Sequence, residues 1–346
     1  MLFSAAISLF VALASAQLPD PEPGRRDPII LERSGGFNIG GKVIPHPTQA
    51  NRSLTCDHGY MEYFIPWTKR KTSIVMWHSS STQTWQNRWD GGPGFKDMFL
   101  RRDYPVYLWD APRLGRAGWS CESFNYAPDY RDQSNFLAWN FGPSPLNWWD
   151  DVQFPVENRD YFWQQATGGR YIEFDNVNNV HLQSEAAAIS ADTGMNGDSI
   201  IYLTNSAAGL RAMMTVAKSN TTNIKGIVLY ETVGIVYPEG YGVEQSNGPF
   251  GPFVIPLEEF KKLTLLNEIQ FIFGDHRDET HLYLQQAREV AGIINDLGGN
   301  ASVLKLGEDA GLWGSTHVSF ADMDNHKVAE LLDDFLARNE LDGYRD

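Results

Sequence analysis

The sequence predicts an α/β fold with a doubly wound, mostly parallel sheet. Short apolar runs bounded by polar residues are typical of parallel strands buried on both faces. Helical patterns alternate with these runs, which implies βαβ units. The predicted strands are 73–77 (SIVMW), 106–109 (VYLW), 199–203 (SIIYL), 226–230 (GIVLY), 269–273 (IQFIF) and 301–306 (ASVLKL). The predicted helices are 182–193, 208–218, 279–297 and 326–339.

The chain begins with an apolar run, MLFSAAISLFVALASA, that ends in the small-x-small pattern cleaved by signal peptidase. We interpret residues 1–16 as a secretory signal, because the run is shorter than the ~20 residues of a membrane anchor. Residues 17–39, which begin with a proline-rich stretch, are predicted to form an extended N-terminal arm, and residues 40–346 are predicted to form a single domain. No later segment is predicted to span a membrane, so the expected location is extracellular.

One interval, 111–180, interrupts the alternation of strands and helices. It is rich in Trp, Phe, Asn and Pro and has little periodicity, as in FLAWNFGPSPLNWWDD. Such a long irregular segment favours an insertion that forms a lid or an aromatic wall beside a site.

The sequence contains two cysteines, Cys56 and Cys121. In an oxidising compartment an even pair is most simply one disulfide, and the alternative is two separate buried thiols. Neither cysteine has the spacing of a metal site. Glycosylation is predicted at three Asn-x-Ser/Thr sequons, which begin at Asn51, Asn220 and Asn300.

The formal net charge of -15 and the pI of about 4.9 argue against nucleic acid and anionic lipid as partners. A neutral or apolar small molecule is the expected partner. We expect no cofactor and no metal, and the sequence leaves homodimer formation open.

The stretch IIYLTNSAAGL places Ser206 between a predicted strand and a predicted helix. A nucleophile elbow, G-x-S-x-G, requires this context. Thr204 and Ala208 stand where the motif has glycines, so Ser206 is either a nucleophile in an altered elbow or an ordinary polar residue after a strand.

A serine hydroxyl needs an imidazole to take its proton and a carboxylate to hold that imidazole. His317 lies in a loop after the last predicted strand and before the final helix, where the base of such a triad is expected. Glu231 and Asp275 follow two strands between Ser206 and His317, and either could be the acid. The residues alone leave both open.

Acyl transfer also needs N–H donors for the developing oxyanion. The backbone N–H of Ala207 is one candidate, and Ser79 or Ser80 of the loop WHSSSTQTW is the other, with Ser80 preferred. The alternative for this loop is a serine-rich segment with hydrogen-bonded turns.

With these residues in place, the chain from about Gly40 to Phe335 resembles the α/β-hydrolase superfamily. It is most similar to the esterase branch whose acid follows the sixth strand, and this resemblance implies Glu231 as the acid. It further implies a serine hydrolase that cleaves a carboxylic ester or lactone of a neutral, apolar molecule through an acyl-enzyme.

Other functions fit the same residues. One is a cyclase, acyltransferase or lyase that uses the triad without hydrolysis, and another is a non-catalytic binding protein on a hydrolase scaffold. A metal hydrolase is a further alternative, and its ligands would be Asp275, His276, Asp278 and His281. No recognised metal spacing is present in that cluster.

Overall fold

The computed structural model describes residues 28–80, 82–159, 166 and 168–345. The predicted signal at 1–16 therefore lies outside the described residues. The strands are β1 (Leu31–Pro45), β2 (Ser53–Pro66), β3 (Ser73–Trp77), β4 (Val106–Asp110), β5 (Ile200–Asn205), β6 (Ile224–Tyr230), β7 (Val236–Pro238), β8 (Phe253–Ile255), β9 (Glu268–Phe273) and β10 (Ala301–Lys305).

Helices flank these strands. They are α1 (Gln83–Gln86), α2 (Phe95–Leu100), α3 (Asp132–Ala138), α4 (Val177–Asp192), α5 (Ala208–Lys218), α6 (Leu257–Phe260), α7 (Leu282–Asp296), α8 (Leu306–Ala310) and α9 (Asn325–Arg338). The four predicted helices correspond to α4, α5, α7 and α9.

The main sheet has the strand order β1-β2-β4-β3-β5-β6-β9-β10. From β4 to β10 every neighbouring pair is parallel, whereas β2 runs antiparallel to both of its neighbours. The six predicted strands are all present in the parallel part, with ends within two residues of the prediction. This confirms the doubly wound, mostly parallel sheet.

The hairpin of β1 and β2 was not predicted. β1 is largely exposed and contains two Gly-Gly pairs, so it lacks the continuous apolar run that marks a buried strand. The predicted boundary at residue 39 is wrong, because β1 continues through it and pairs with β2 from Leu31 to Pro45. Residues 31–39 are therefore part of the domain, and residues 17–27 lie outside the described range.

Two apolar layers cover the two faces of the sheet. Successive side chains of a strand point to opposite faces, so Val75 and Trp77 join one layer and Ile74 and Met76 join the other. Helices α4, α5 and α7 pack on the first face, and α1, α2 and α9 pack on the second. The carboxyl ends of the parallel strands remain free to carry a site.

The insertion contributes α3 and a compact aromatic cluster. Phe141 has its ring centroid 5.2 Å from that of Trp148 and 4.8 Å from that of Phe154, and Phe136 lies 4.8 Å from Trp148. Most of these rings are buried against the second apolar layer, so they serve as core. Trp139, at the end of α3, lines a cavity instead.

The start of the insertion is fixed to β2. Cys56 and Cys121 form the predicted disulfide. Next to it, buried Asp57 accepts two hydrogen bonds from the Arg113 guanidinium, at 2.8 and 3.0 Å, and a third from the backbone N–H of Cys121 at 3.1 Å. A bidentate, buried pair of this kind is geometrically specific, so the chain enters the insertion at one defined place.

The three sequon residues, Asn51, Asn220 and Asn300, are exposed, and their glycosylation stays a prediction. Within the described residues, no helix has both the length and the apolar character that crossing a membrane requires.

Candidate active site

Ser206 occupies a sharp turn between β5 and α5. Its φ of 58° lies in the left-handed region that non-glycine residues seldom adopt. The turn is held from both sides: the Ser206 N–H donates to Tyr230 O at 3.1 Å, and the Ser206 carbonyl accepts from Val233 N at 3.1 Å. This strained, fully bonded backbone is what a nucleophile elbow requires.

A small residue on α5 allows this tight turn. A Cβ atom added to Gly209 would lie 2.2 Å from the Thr232 hydroxyl oxygen and 2.9 Å from the Thr232 Cβ. Gly209 therefore lets the helix approach the segment after β6. Gly209 thus stands one residue after the second glycine position of the motif, and Thr204, at the first, is accommodated inside the sheet with no exposed surface.

The loop that carries His317 brings its ring to Glu231, which directly follows β6. His317 Nδ1 lies 3.4 Å from Glu231 Oε2, and both side chains are buried. Nε2, the nitrogen that would take the serine proton, is buried and has no hydrogen-bond partner in the part of the chain that the structure describes. Catalytic hydrogen bonds are often completed only when substrate binds.

The Glu231 carboxylate is surrounded by donors. Gly274 N donates to Oε1 at 2.7 Å, and Arg277 Nε donates to Oε2 at 2.7 Å. Burial alone would raise the pKa of Glu231, but Arg277, His317 and the Gly274 N–H together hold this pKa at about 2. Glu231 is therefore ionised over the whole range in which the protein would work.

Burial lowers the pKa of His317 below its ordinary value of 6.5, and the interaction with Glu231 only partly offsets this. A neutral imidazole can accept a proton, so His317 is in the form that a general base needs at neutral pH.

Asp275, the other acid that the sequence left open, has a different task. Its two carboxylate oxygens accept the backbone N–H groups of Gly314 and Ser315 at 3.0 and 2.9 Å. These residues begin the turn that leads to His317, so Asp275 fixes the loop while Glu231 faces the ring.

A cavity of about 310 Å³ contains Ser206, Ala207, Glu231 and His317 in its lining. The structure thus brings the predicted triad and one predicted oxyanion donor to one cavity at the carboxyl edge of the sheet, as expected for open α/β sheets.

Ser80 is not placed as predicted. Its backbone N–H donates to His78 Nδ1 at 3.0 Å, and Ser80 lines a neighbouring cavity of about 280 Å³ instead. Burial lowers the pKa of His78 to about 3, with a smaller contribution from the Arg170 guanidinium, so this ring is neutral and remains an acceptor. The buried histidine after β3 therefore occupies the N–H that we assigned to the oxyanion.

Comparison with known proteins agrees with this architecture. A solved structure described as a novel bacterial esterase superposes with a TM-score of 0.70 at 22% sequence identity, covering 91% of this chain and 98% of that chain. The chain has the α/β-hydrolase fold.

Weaker similarities extend to an esterase of Pyrococcus furiosus, at 11% identity, a TM-score of 0.42 and coverage of 92% and 96% of the two chains. A dienelactone hydrolase from Anabaena variabilis has 9% identity, a TM-score of 0.39 and coverage of 88% and 97%. No family model and no curated protein matches the sequence.

Within the α/β-hydrolase fold, the carbonyl end of α3 packs over the site. Arg277 Nη2 donates to Ala138 O at 2.6 Å, and His317 N donates to Trp139 O at 2.9 Å. The last carbonyls of a helix lack partners inside the helix and favour cationic donors. The insertion therefore positions both the base, His317, and Arg277, which keeps the Glu231 carboxylate ionised.

Sequence reasoning missed three arginines in this cavity. Arg277 pairs with Glu231, as described above. Arg131 pairs with Asp129 and Arg170 pairs with Asp175, each at 2.5 Å. The signal that could have found Arg277 is an Arg two residues after a strand-end acid, as in GDHR. The insertion arginines had no recognisable pattern.

The four residues of the alternative metal site do not converge as one set. Asp278 accepts hydrogen bonds from Thr280, and His281 lines the catalytic cavity. Asp275 and His276 instead lie with exposed Asp151 in a group whose ligand atoms are within 4.8 Å of one another. Both oxygens of Asp275 are bonded to backbone N–H groups, so loop anchoring explains this carboxylate.

Proposed function

We propose that this protein is a secreted serine hydrolase that cleaves a carboxylic ester or lactone through an acyl-enzyme. The observation that carries the proposal is the pairing of a strained serine turn at Ser206 with a buried Glu231–His317 pair in one cavity. The resemblance of the fold to that of a bacterial esterase supports it.

In the proposed reaction, Ser206 Oγ attacks the carbonyl carbon and its proton passes to His317 Nε2. Collapse of the tetrahedral intermediate breaks the ester C–O bond, and the leaving oxygen takes that proton. Water then attacks the acyl-enzyme by the same route, and Ser206 is restored. Glu231 stabilises the imidazolium in both halves because its carboxylate is ionised and lies 3.4 Å from Nδ1.

The Ala207 N–H is the donor we assign to the oxyanion, since this residue follows the nucleophile and lines the cavity. A preorganised donor of this kind is worth about 2.7–4 kcal/mol of transition-state stabilisation. A second donor from the loop after β3 requires the Ser80 N–H to leave His78, or Ser79 to supply its own.

The lining supports a neutral substrate with an apolar part. Trp139, Phe250 and Tyr283 supply aromatic surface. The guanidinium groups of Arg131, Arg170 and Arg277 are each paired with a carboxylate, so they leave little unbalanced positive charge to attract an anion. The polar neighbouring cavity shares Trp139, Arg131 and Arg170 with the catalytic cavity, and it offers room for a second, hydrogen-bonding part of the molecule.

The test combines labelling and turnover. Wild type, Ser206→Ala and the control Ser219→Ala are treated with a fluorophosphonate and assayed on p-nitrophenyl esters and lactones. Ser219 directly follows α5, away from the cavity, and its hydroxyl donates to Asp192, so replacing Ser219 by Ala should leave labelling unchanged. Labelling and hydrolysis that vanish only in Ser206→Ala support the proposal, and folded wild type that neither labels nor turns over contradicts it.

Product analysis on the same samples separates hydrolysis from the alternatives. A free acid indicates hydrolysis, whereas a cyclised or transferred acyl product indicates a triad enzyme that excludes water.

A further inference from the structure

Asn205, the residue before the proposed nucleophile, bonds to the chain segments that carry the other two triad residues. It is the last residue of β5 and is fully buried. Its side-chain Nδ2 donates to Tyr230 O at 3.0 Å and to His317 O at 2.8 Å. Tyr230 directly precedes Glu231, so a single amide links the backbones of all three triad positions.

The two acceptors fix the identity of this side chain. Both are carbonyl oxygens, so the group that faces them must supply two N–H donors, as the amide of asparagine does. An aspartate of the same shape would turn an oxygen toward them. Tyr230 O also accepts the Ser206 N–H, so the bond to His317 O is the one that constrains the His317 loop. A buried carbonyl that loses its donor costs about 1–3 kcal/mol.

The backbone of His317 itself is held from two sides. Its N–H donates to Trp139 O on the insertion, and its carbonyl is held by Asn205 on the sheet. The hydrogen bond from Asn205 is the one that sets the position of His317 relative to Ser206, because Asn205 ends β5 and Ser206 directly follows it.

We infer that Asn205 is a positioning residue that holds His317 in register with Ser206 and Glu231 during catalysis. This inference rests on the proposed function. Removing the amide takes away the sheet-side hydrogen bond of His317 itself, although Asp275 and Asp322 still hold the residues before it. A misplacement of about 1 Å between reacting groups can reduce the rate roughly 100-fold.

The experiment compares wild type with Asn205→Ala and Asn205→Leu on one p-nitrophenyl ester. Leu fills the space that Ala leaves empty, so an equal loss in both variants points to the missing donors and not to a cavity. We expect kcat to fall roughly 100-fold while KM changes by less than about threefold, because substrate contacts are retained. The acid limb of the pH profile should also move toward higher pH, since a loosened His317 is better hydrated.

Thr204→Val is the matched control. Thr204 is as buried as Asn205 and adjacent to it, but its hydroxyl makes only a 3.4 Å bond to Val228 O inside the sheet. Its turnover and pH profile should stay near wild type. If circular dichroism shows that the Asn205→Ala and Asn205→Leu variants do not fold, Asn205→Asp is assayed instead. This variant keeps the shape of the side chain and should show the same loss of kcat at constant KM.

Wild-type kcat in any folded Asn205 variant, or a change confined to KM, would overturn the inference. The outcome for the proposed function is separate, because it depends on Ser206→Ala. An inactive Ser206→Ala together with a fully active Asn205→Ala would remove only the role of Asn205.

Discussion

Replacing Glu231 by Gln is the most direct test of the triad. The carboxylate has three donors around two oxygens: Gly274 N at Oε1, and Arg277 Nε and His317 Nδ1 at Oε2. Gln offers one oxygen, so its amide group must face a donor on one side. The best arrangement keeps the oxygen toward Arg277 and His317. Even so, the imidazolium that forms on His317 loses the negative charge beside it.

The magnitude follows from that lost charge. At 3.4 Å and an effective dielectric constant of about 20, a pair of unit charges is worth ~5 kcal/mol. If Glu231→Gln removes this stabilisation from the transition state, kcat should decrease roughly 10³- to 10⁴-fold. The ground state is less affected because His317 is neutral there.

The assay measures kcat and KM for ester hydrolysis, with thermal unfolding on the same preparations. Asp275→Asn is the matched control. It keeps one oxygen for the N–H groups of Gly314 and Ser315, so it should lower stability by about 1.5–3 kcal/mol and reduce turnover far less than Glu231→Gln does. If folded Asp275→Asn loses as much turnover as Glu231→Gln or more, the assignment of the acid to Glu231 is refuted.

Three further predictions concern pH, the disulfide and the elbow. Because burial lowers the pKa of His317, activity should rise with pH through a midpoint below 6.5 and then level off; a midpoint above 6.5 in the kcat/KM profile would contradict this. Replacing Cys56 and Cys121 by Ala should reduce the free energy of unfolding by about 4 kcal/mol, given a loop of 65 residues, and urea titration measures it. Gly209→Ala should cost ~1–3 kcal/mol by collision with Thr232, and an unchanged melting temperature would show that α5 can move away.

The parallel half of the sheet could be predicted because its strands are buried on both faces and so are continuously apolar. The β1–β2 hairpin could not, since β1 is mostly exposed and carries no such signal. Hairpins of this kind are specified by pairing with a distant strand, and 39 residues of chain separate the end of β2 at Pro66 from the start of β4 at Val106.

The site shows the same division. Ser206 and His317 were recognisable from their places after strands, which local pattern encodes. The choice of Glu231 over Asp275 needed the resemblance to a known family, because both acids follow strands and only tertiary geometry shows which one faces the ring. The oxyanion role of Ser80 stays a prediction, and the sequence did not show that His78 Nδ1 accepts the Ser80 N–H.

The fixed start of the insertion has a consequence for how substrate enters. The Cys56–Cys121 disulfide and the Asp57–Arg113 pair tie the chain to the sheet before α3 begins. The far end of α3 then bonds to the backbone of His317 through Trp139 O. If this segment moved away as a rigid lid, it would displace His317 with it, and the enzyme would be inactive while the lid was open. The described part of the insertion from Cys121 to Trp139 is therefore better regarded as a fixed roof over the site than as a swinging lid.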